Sequence, residues 1–595
     1  MPSLSLPEPT APSDVAAVMH CEAVQLFIDR ARAVKPDFAV TDGNAPALVQ
    51  VCRRLDGIPL AIELAAARVR VLSVEQIAAR LHDRFRLLTG GGRTALRRQQ
   101  TLQALVDWSH DLLRAAERAL FRRLAVFSGG FTLEAAEAVC VDESVESGAS
   151  VESGASYEVL DLLTGLVDKS LVLAETRGAA ERYRLLETLR QYAEDKLLAA
   201  GEAAWLRTRH AEWCLSIIEA RRAALQPGQP EQRRRATQAL RGEVDNVRAA
   251  LTRCASGPAT APLGLRLLAR RSDPGVGPSL LAGETGSEVR RWLETFLGLV
   301  PERSADRAQA LLELNYFFRW QHEFTAAGAA AREAREISEA LGNDSDLRAA
   351  SVAEGLVAAC RGDYDRAVAL IEAALGTARA NQDWLAVEQF TRDLGVIALS
   401  RRDLDTAQGW FEETLALAKR HGATTHVNLA LVRLAMIERL KGNFQASRSH
   451  LDELDRLLSH VGEEIASELS ALARGSLARA EGRMDEARSL MLSSLRQIRE
   501  RGQGNLLHSV VCMAGMLEIA AGHVARGVSI IGACDTGEGP IGTIHVPDVR
   551  AEAPLFLEHA RTALGEVAYA AAWGEGQQLT LDEAVRLALG EAQAS

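Results

Sequence analysis

Six short segments recur at intervals of 40 residues: HEFTAA at 322, GDYDRA at 362, RDLDTA at 402, GNFQAS at 442, GRMDEA at 482 and GHVARG at 522. The third residue of each segment is apolar or aromatic, and the sixth is small. The third positions are Phe324, Tyr364, Leu404, Phe444, Met484 and Val524; the sixth are Ala327, Ala367, Ala407, Ser447, Ala487 and Gly527. A turn, an apolar anchor and then a small residue where two helices approach closely is typical of helix-hairpin repeats. Because such hairpins bury their apolar faces by stacking, the pattern predicts an α-solenoid over 301–535.

Glycine opens four of these turns, at Gly362, Gly442, Gly482 and Gly522. The repeats resemble tetratricopeptide repeats, although their period exceeds the usual unit of about 34 residues. The resemblance implies a superhelix whose groove binds a protein, a peptide or a small inducer. It therefore favours recognition over catalysis as the role of this region.

Composition places the chain among ordinary proteins with several folded domains. Its 595 residues are 47% hydrophobic and 25% charged, and the formal net charge is −11. A net negative charge argues against a surface that coats nucleic acid, which needs concentrated positive charge. The eight cysteines show no CxxC spacing, no secretion signal precedes them, and no apolar run approaches the length of a membrane span. We therefore expect a cytoplasmic protein that does not enter membranes.

The N-terminal third contains residues that typically begin and end short helices. Gly57 and Pro59, in the segment DGIP, predict the end of one helix and the first turn of the next. Ser73 with Gln76 forms a capping-box pattern at the start of a further helix. SLSL, at residues 3–6, predicts a short strand.

Longer segments resemble the bacterial STAND regulatory ATPases, relatives of the NB-ARC proteins and similar to LuxR-type, AfsR-like regulators. The resemblance is carried by CRRLDGIPLAIELAAARVRVLSVEQIAARL, then by FRLLTGGGRTALRRQQTLQALVDWSHDLLRAAERALFRRLAVFSGGFTLEAAEAVC, and resumes at RYRLLETLRQYAEDKL and EVDNVRAAL. It implies a mainly α protein with a helical subdomain and a winged-helix-like domain before the solenoid. It also implies that Pro59, in the family's GxP motif with Gly57, packs against the adenine of a bound nucleotide.

The resemblance and the local patterns together divide the chain into five parts. Residues 1–95 are expected to be a remnant of the NB-ARC ATPase, consisting of its last strand and the helical subdomain. A winged-helix-like domain is expected over 96–200, with a disordered loop at 142–156, where VESGAS is duplicated. A helical linker region follows over 201–300, with an irregular stretch at 256–288. The repeats occupy 301–535, and a C-terminal segment with a last helical pair occupies 546–595.

The features of a nucleotide site depart from the family pattern. A phosphate loop of the form GxxxxGK[ST] is missing, since no glycine precedes any of the five lysines. The position near Leu186, where related proteins can carry a phosphate-contacting histidine, has none. We therefore expect no cofactor, with ADP or ATP bound only if an ATPase core is encoded upstream. Metal-ligand spacing and a nucleophile elbow are also missing from the sequence, so no enzymatic activity is predicted.

The candidate recognition helix of the winged-helix-like domain, 157–169, is acidic. It carries Glu158, Asp161 and Asp168 against Lys169. A helix that enters the major groove usually presents cations to the phosphates. Specific DNA binding by this chain alone is therefore not favoured, and a packing role is.

Three hypotheses of function remain open at this point. The first is the sensor, relay and protein-interaction portion of a STAND-type signal-transduction or transcriptional regulator. The second is a DNA-binding transcriptional regulator that acts through the winged helix. The third is an ATP-dependent switch whose phosphate loop lies upstream, which would make this chain a truncated gene product.

Overall fold

The computed structural model describes residues 4–5, 21–41, 43–55, 57–79, 105–141, 154–177, 180–223, 230–269, 286–461, 464–500, 504–535, 537 and 546–591. The chain divides into two compact units: Met1–Cys214 with Asp245–Ala250, and Leu215–Val244 with Leu251–Ser595. The mainly α class predicted from the sequence is confirmed. None of the helices in the described ranges is long and apolar enough to span a bilayer.

The first unit begins with short helices around a buried apolar core. They span Glu22–Val34, Ala45–Arg54, Pro59–Ala66 and 74–79, with a 3-10 helix at Ala67–Arg70. Gly57 has φ +65°, and a Cβ at this position would lie 2.4 Å from the Leu4 carbonyl oxygen, so a side chain there would clash. The capping pair at Ser73 is confirmed, because the Gln76 N–H donates to Ser73 Oγ at 3.3 Å and the Ser73 N–H donates to Gln76 Oε1 at 3.0 Å.

The same unit continues as helices followed by an antiparallel hairpin. The helices span 105–111, Ala115–Arg123, Leu133–Cys140 and Gly154–Asp168, with a 3-10 helix at Leu124–Val126. Strand Leu173–Arg177 pairs with Ala180–Arg184, so that Leu173 lies opposite Arg184, and helix Glu187–Ala199 follows. Helices, a two-stranded antiparallel hairpin and a further helix thus follow one another over 105–199.

The FSGGF turn of this unit is held by a residue distant in sequence. Asn246 is fully buried; its Oδ1 accepts from the Ser128 N–H at 2.8 Å, and its Nδ2 donates to the Gly130 carbonyl at 2.9 Å. Its Oδ1 also lies 3.3 Å from His210 Nε2. The EVDNVRAAL segment therefore serves to fix the turn at 128–130.

Helices lead from the end of the winged-helix-like region to the repeats. They span Ala203–Ala223, Pro230–Gly242, Val244–Cys254, Ala261–Ala269 and Gly286–Leu299.

Six antiparallel hairpins form the array of the second unit. Their first helices are Ala305–Trp320, Asp344–Cys360, Trp384–Ser400, Thr424–Leu440, Glu464–Ala480 and Gly504–Ala520. Their second helices are Phe324–Leu341, Tyr364–Ala380, Leu404–His421, Phe444–Val461, Met484–Glu500 and Val524–Gly532. Each of these helices packs on the next one along the chain, as expected for a solenoid of stacked hairpins.

The repeated turns share one backbone conformation. The first residue of each turn segment has a left-handed φ: His322 (62°), Gly362 (89°), Arg402 (63°), Gly442 (84°), Gly482 (80°) and Gly522 (89°). This conformation is costly for residues with a Cβ, which explains why glycine fills four of the six positions.

Three helices follow the array, at Pro547–Leu564, Glu566–Gln578 and Leu581–Leu589. The prediction of a last helical pair is therefore wrong, because Gly565 (φ +77°) interrupts the helical run between the first two. Thr580 caps the last of these helices, since its Oγ1 accepts from the Glu583 N–H at 3.3 Å.

Three further predictions differ from the structure. The irregular stretch predicted at 256–288 contains the helix Ala261–Ala269, in which Gly264 lies so close to Phe296 and Cys254 that a Cβ there would clash with both. The loop predicted to end at 156 ends earlier, because a helix begins at Gly154; residues 142–153 lie outside the described ranges. Leu4 and Ser5, the described part of SLSL, are not in a strand, although the Leu4 N–H donates to the Gly57 carbonyl at 2.9 Å.

Candidate functional site

The helix Pro547–Leu564 lies against the first helices of consecutive hairpins. It packs on Trp384–Ser400 and on Gly504–Ala520, and its polar side chains reach the C-terminal ends of three further first helices. We call this surface the inner face: the sides of helices 344–360, 384–400, 424–440, 464–480 and 504–520 that contact residues 547–564. A helix of the same chain therefore covers this side of the first helices.

Glu552 is the centre of a buried ion-pair cluster on the inner face. Arg439 donates from Nη1 and Nη2 to the two carboxylate oxygens, each at 2.8 Å, and Arg479 Nη2 contacts the same oxygens at 3.0 and 3.1 Å. The three side chains are 3% (Arg439), 9% (Arg479) and 10% (Glu552) exposed. Burial by itself raises the pKa of the Glu552 carboxyl, but the two guanidinium groups outweigh it and lower the pKa to about 2. Two guanidinium groups thus share one carboxylate.

Arg550 joins the same helix to the second hairpin. Its Nη1 donates to the Ala359 carbonyl at 2.8 Å and its Nη2 to the Cys360 carbonyl at 2.7 Å. These carbonyls end the helix Asp344–Cys360, where the last C=O groups lack intrahelical partners and the helix dipole favours a cation. Arg550 is 4% exposed, so these bonds are shielded from water.

Two histidines form a contact between the first turn of the array and its last hairpin. The His322 and His508 rings lie 5.3 Å apart between centroids. Burial, helped by the positive charges of His508 and Arg550 nearby, lowers the pKa of His322 to about 4. The His322 imidazole is therefore neutral at pH 7.

A third polar cluster joins the third and fourth hairpins. Glu388, 2% exposed, lies 2.6 Å from His421 Nδ1 through Oε1 and 2.9 Å from His426 Nδ1 through Oε2. Burial raises the pKa of the Glu388 carboxyl, whereas the hydrogen bonds with His426 and His421 lower it. The lowering effects are together the larger, so the pKa lies below its usual value. Across the described ranges, no group of three or more His, Cys, Asp or Glu side chains is arranged to hold a metal ion.

The residues singled out by the repeat pattern shape the hairpins. Phe324, Tyr364, Leu404 and Phe444 are the first residues of second helices, and Gly362, Gly442, Gly482 and Gly522 lie in the turns before second helices. The small residues Ala327, Ala367, Ala407 and Ala487 are fully buried between helices. The polar contacts of the inner face come from other residues.

Gly57 and Pro59 lie where the sequence placed them, in the turn before and at the start of the helix Pro59–Ala66. The adenine contact that the family resemblance implies for Pro59 stays a prediction.

No sequence pattern singled out Arg439, Arg479, Arg550 or Glu552. The repeat register held a signal for two of them. Arg319, Arg439 and Arg479 occupy one register position of the 40-residue period, and the other three repeats have Ala359, Leu399 and Ile519 there. A charged residue at a register that is apolar in other repeats could have indicated a polar contact at this position.

The winged-helix-like region packs against the N-terminal helices. The helix Gly154–Asp168 ends at Asp168, which pairs with Arg70, and the next residue, Lys169, pairs with Glu117. Glu117 is 1% exposed, and Arg68, 5% exposed, is attracted to it; burial lowers the pKa of Arg68 to about 10. Towards solvent, the helix presents Glu158 and Asp161. Its described charges thus give phosphates few donors, in line with the packing role expected from the sequence.

Comparison with known families supports a winged-helix domain in the first unit. The winged helix-turn-helix domain family matches residues 113–198. A Mycobacterium tuberculosis protein that bears the name of an HTH-type transcriptional regulator is 48% identical over 229 residues, which are 38% of this chain and 24% of that protein. The regulatory protein AfsR of Streptomyces griseus is 25% identical over 485 residues, 81% of this chain and 44% of AfsR. The chain therefore spans less than half the length of these curated relatives.

Two solved structures are similar in part. One is a signal transduction ATPase with numerous domains and a tetratricopeptide repeat sensor from Pyrococcus horikoshii, with a TM-score of 0.40 and 12% identity over 93% of this chain and 72% of that one. The other is a Rap protein complexed with competence and sporulation factor, with a TM-score of 0.38 and 10% identity over 62% of this chain and 99% of that one.

Proposed function

We propose that this chain is the sensor and relay portion of a STAND-type regulator of transcription. Its array binds a segment of another protein, or a peptide, on the inner face, and the bound state is passed on by rearrangement of domains. The observation that carries the proposal is the seating of the helix Pro547–Leu564 on the inner face through buried polar bonds. A surface that already holds one helix through specific side-chain contacts has the geometry to hold another.

The relatives support the regulatory part of this proposal. One bears the name of an HTH-type transcriptional regulator and the other that of a regulatory protein, and residues 113–198 of this chain match the winged helix-turn-helix domain family. We propose further that the chain acts by binding and not by catalysis, since its sequence contains no phosphate loop.

RNA sequencing in the native host tests the proposal. We expect deletion of the gene to change the transcript levels of a defined gene set, and wild-type protein to restore them. Arg439→Gln, on the inner face, should restore them poorly, whereas Arg366→Gln, an exposed arginine of a second helix, should restore them fully. Melting curves must first show that both variants are folded. A folded Arg439→Gln variant that restores every transcript would remove the inner face from the relay.

A second candidate function is direct DNA binding through the winged helix, favoured by the family match over 113–198. The acidic residues Glu158 and Asp161 on the exposed side of the helix Gly154–Asp168 weigh against it, because DNA binding relies on cations facing the phosphates. Gel shifts with a random duplex library at physiological salt separate the two candidates. We expect no enriched sequence; an enriched sequence bound at nanomolar concentration would establish the second candidate instead.

A further inference from the structure

Arg439 and Arg479 occupy equivalent positions in consecutive repeats, in the last turns of helices Thr424–Leu440 and Glu464–Ala480. At the same register the second, third and sixth repeats carry Ala359, Leu399 and Ile519, all of which are nearly or fully buried. Stacking of the hairpins therefore accepts an apolar side chain at this register. The first repeat also has an arginine at this register, Arg319, which donates to Asn315 Oδ1 at 2.9 Å within its own helix. Arg439 and Arg479 differ from it in sharing the Glu552 carboxylate of another helix.

Arg479 also contacts an aromatic side chain of the same helix. The guanidinium carbon of Arg479 lies 4.7 Å from the centre of the Phe556 ring, a cation–π contact. Glu552 and Phe556 are four residues apart, so they lie on one side of the helix Pro547–Leu564. Val549, Ala553 and Ala560 are buried on that helix, while Leu555 is 47% exposed. The surface thus recognises an amphipathic helix with a carboxylate followed four residues later by an aromatic ring.

The occupying helix has features of an exchangeable ligand. Pro554 lies inside it and cannot donate the hydrogen bond that a helical residue makes to the carbonyl four positions earlier, which weakens the isolated helix. Buried ion pairs such as Arg439–Glu552 add little net stability relative to apolar packing, and contribute mainly to specificity. A competing helix would have to supply the carboxylate that Arg439 and Arg479 hold.

From these observations we infer that Arg439 and Arg479 form a carboxylate-recognition site for an acidic amphipathic helix of a partner protein. The partner helix carries Glu or Asp with an aromatic residue four positions later, and takes the place of residues 547–564. The inference rests on the proposed function, because it names the chemistry of the segment that the inner face binds.

A synthetic peptide with the sequence of residues 546–565, labelled with fluorescein, serves as the probe. It is titrated by fluorescence anisotropy against the full-length chain carrying Glu552→Gln, in which the internal helix has lost its charged contact. We expect this variant to bind the peptide at least about tenfold more tightly than the wild-type chain does, because truncating one partner of a buried charge pair weakens its hold strongly. Circular dichroism establishes that the variant is folded.

Substitutions within the peptide then test the carboxylate without any change to the protein. The peptide with Glu552→Gln should bind at least about tenfold more weakly than the unsubstituted peptide. The matched control, the peptide with Glu558→Gln, alters a carboxylate on the exposed side of the helix and should bind like the unsubstituted peptide. If the Glu552→Gln chain does not fold, the same ranking is measured on the wild-type chain, where all affinities are lower.

The outcomes separate the inference from the proposed function. Equal binding of the Glu552→Gln and Glu558→Gln peptides would leave the inner face as a binding surface and overturn the carboxylate site. Failure of every peptide to bind both chains would overturn the inference and remove the support that the seated helix gives to the proposed function.

Discussion

Arg550 donates two hydrogen bonds to the carbonyl groups of Ala359 and Cys360, at 2.8 and 2.7 Å, across about 190 residues of sequence. This contact ties a helix that follows the array to the end of a helix in its second hairpin. Together with the Arg439–Glu552 pair, it holds the helix Pro547–Leu564 on the inner face.

Arg550→Ala should lower the free energy of unfolding by about 2–3 kcal/mol, because it removes two buried hydrogen bonds from a charged donor. Chemical denaturation of the full chain measures the change. Arg366→Ala, at an exposed position, is the control and should change stability by less than about 0.5 kcal/mol. Similar values for the two variants would show that the Arg550 contact does not hold the helix in place.

Ala407→Leu should destabilise the array by about 1–3 kcal/mol, because the side chain at this fully buried position has no room to grow. Ala327→Leu, in the first hairpin, should cost less, since it perturbs fewer stacked neighbours. Ala416→Leu, on the exposed side of the same helix as Ala407, is the control. Thermal melts in which Ala407→Leu and Ala416→Leu coincide would contradict tight packing at the repeated small position.

Arg402→Gly should stabilise the chain by about 0.5–1 kcal/mol, because Arg402 has φ +63°, a conformation that glycine adopts without strain. The reciprocal change, Gly442→Ala, should destabilise it by about 1 kcal/mol. A Cβ at Gly442 meets no atom within 4 Å, so this cost reflects the backbone conformation and not crowding. Urea midpoints of the two variants should move in opposite directions; a shift of both in one direction would be inconsistent with this account.

Stability should fall with decreasing pH between about 6.5 and 4, partly because of His322. Its pKa is lowered to about 4 in the folded chain, so below pH 6.5 the unfolded state binds a proton that the folded state does not. His322→Asn tolerates the left-handed turn and removes this titration, so the variant should lose about 2–3 kcal/mol less than wild type over that range. His508, whose pKa is also lowered by burial, leaves part of the dependence in place. Denaturation curves at pH 7 and pH 4 give the comparison, and equal losses in both proteins would exclude His322 as a contributor.

Purified chain should bind ATP and ADP more weakly than micromolar and should not hydrolyse ATP. The sequence contains no GxxxxGK[ST], whose backbone N–H groups and lysine hold the phosphates, and Pro59 offers at most an adenine contact. Isothermal titration calorimetry and a phosphate-release assay measure both properties. A micromolar dissociation constant would restore the hypothesis of an ATP-dependent switch.

Local sequence was sufficient to predict the helical hairpins of the array. The 40-residue register predicted where second helices begin, because Phe324, Tyr364 and their equivalents follow turns that only a few residue types adopt readily. Caps at Ser73 and Thr580 were predictable for the same reason: the hydrogen bonds join residues three positions apart.

What occupies the inner face was decided by tertiary structure. The contacts of Glu552 with Arg439, of Arg550 with Cys360 and of Asn246 with Gly130 join residues separated by 113, 190 and 116 positions, respectively. The repeat period marks the register position of Arg439 but not its partner, because Glu552 lies outside the repeats and the sequence does not show which arginines are buried. Only the superhelical path of the array brings residues 547–564 onto its first helices, and that path depends on the summed packing of six hairpins.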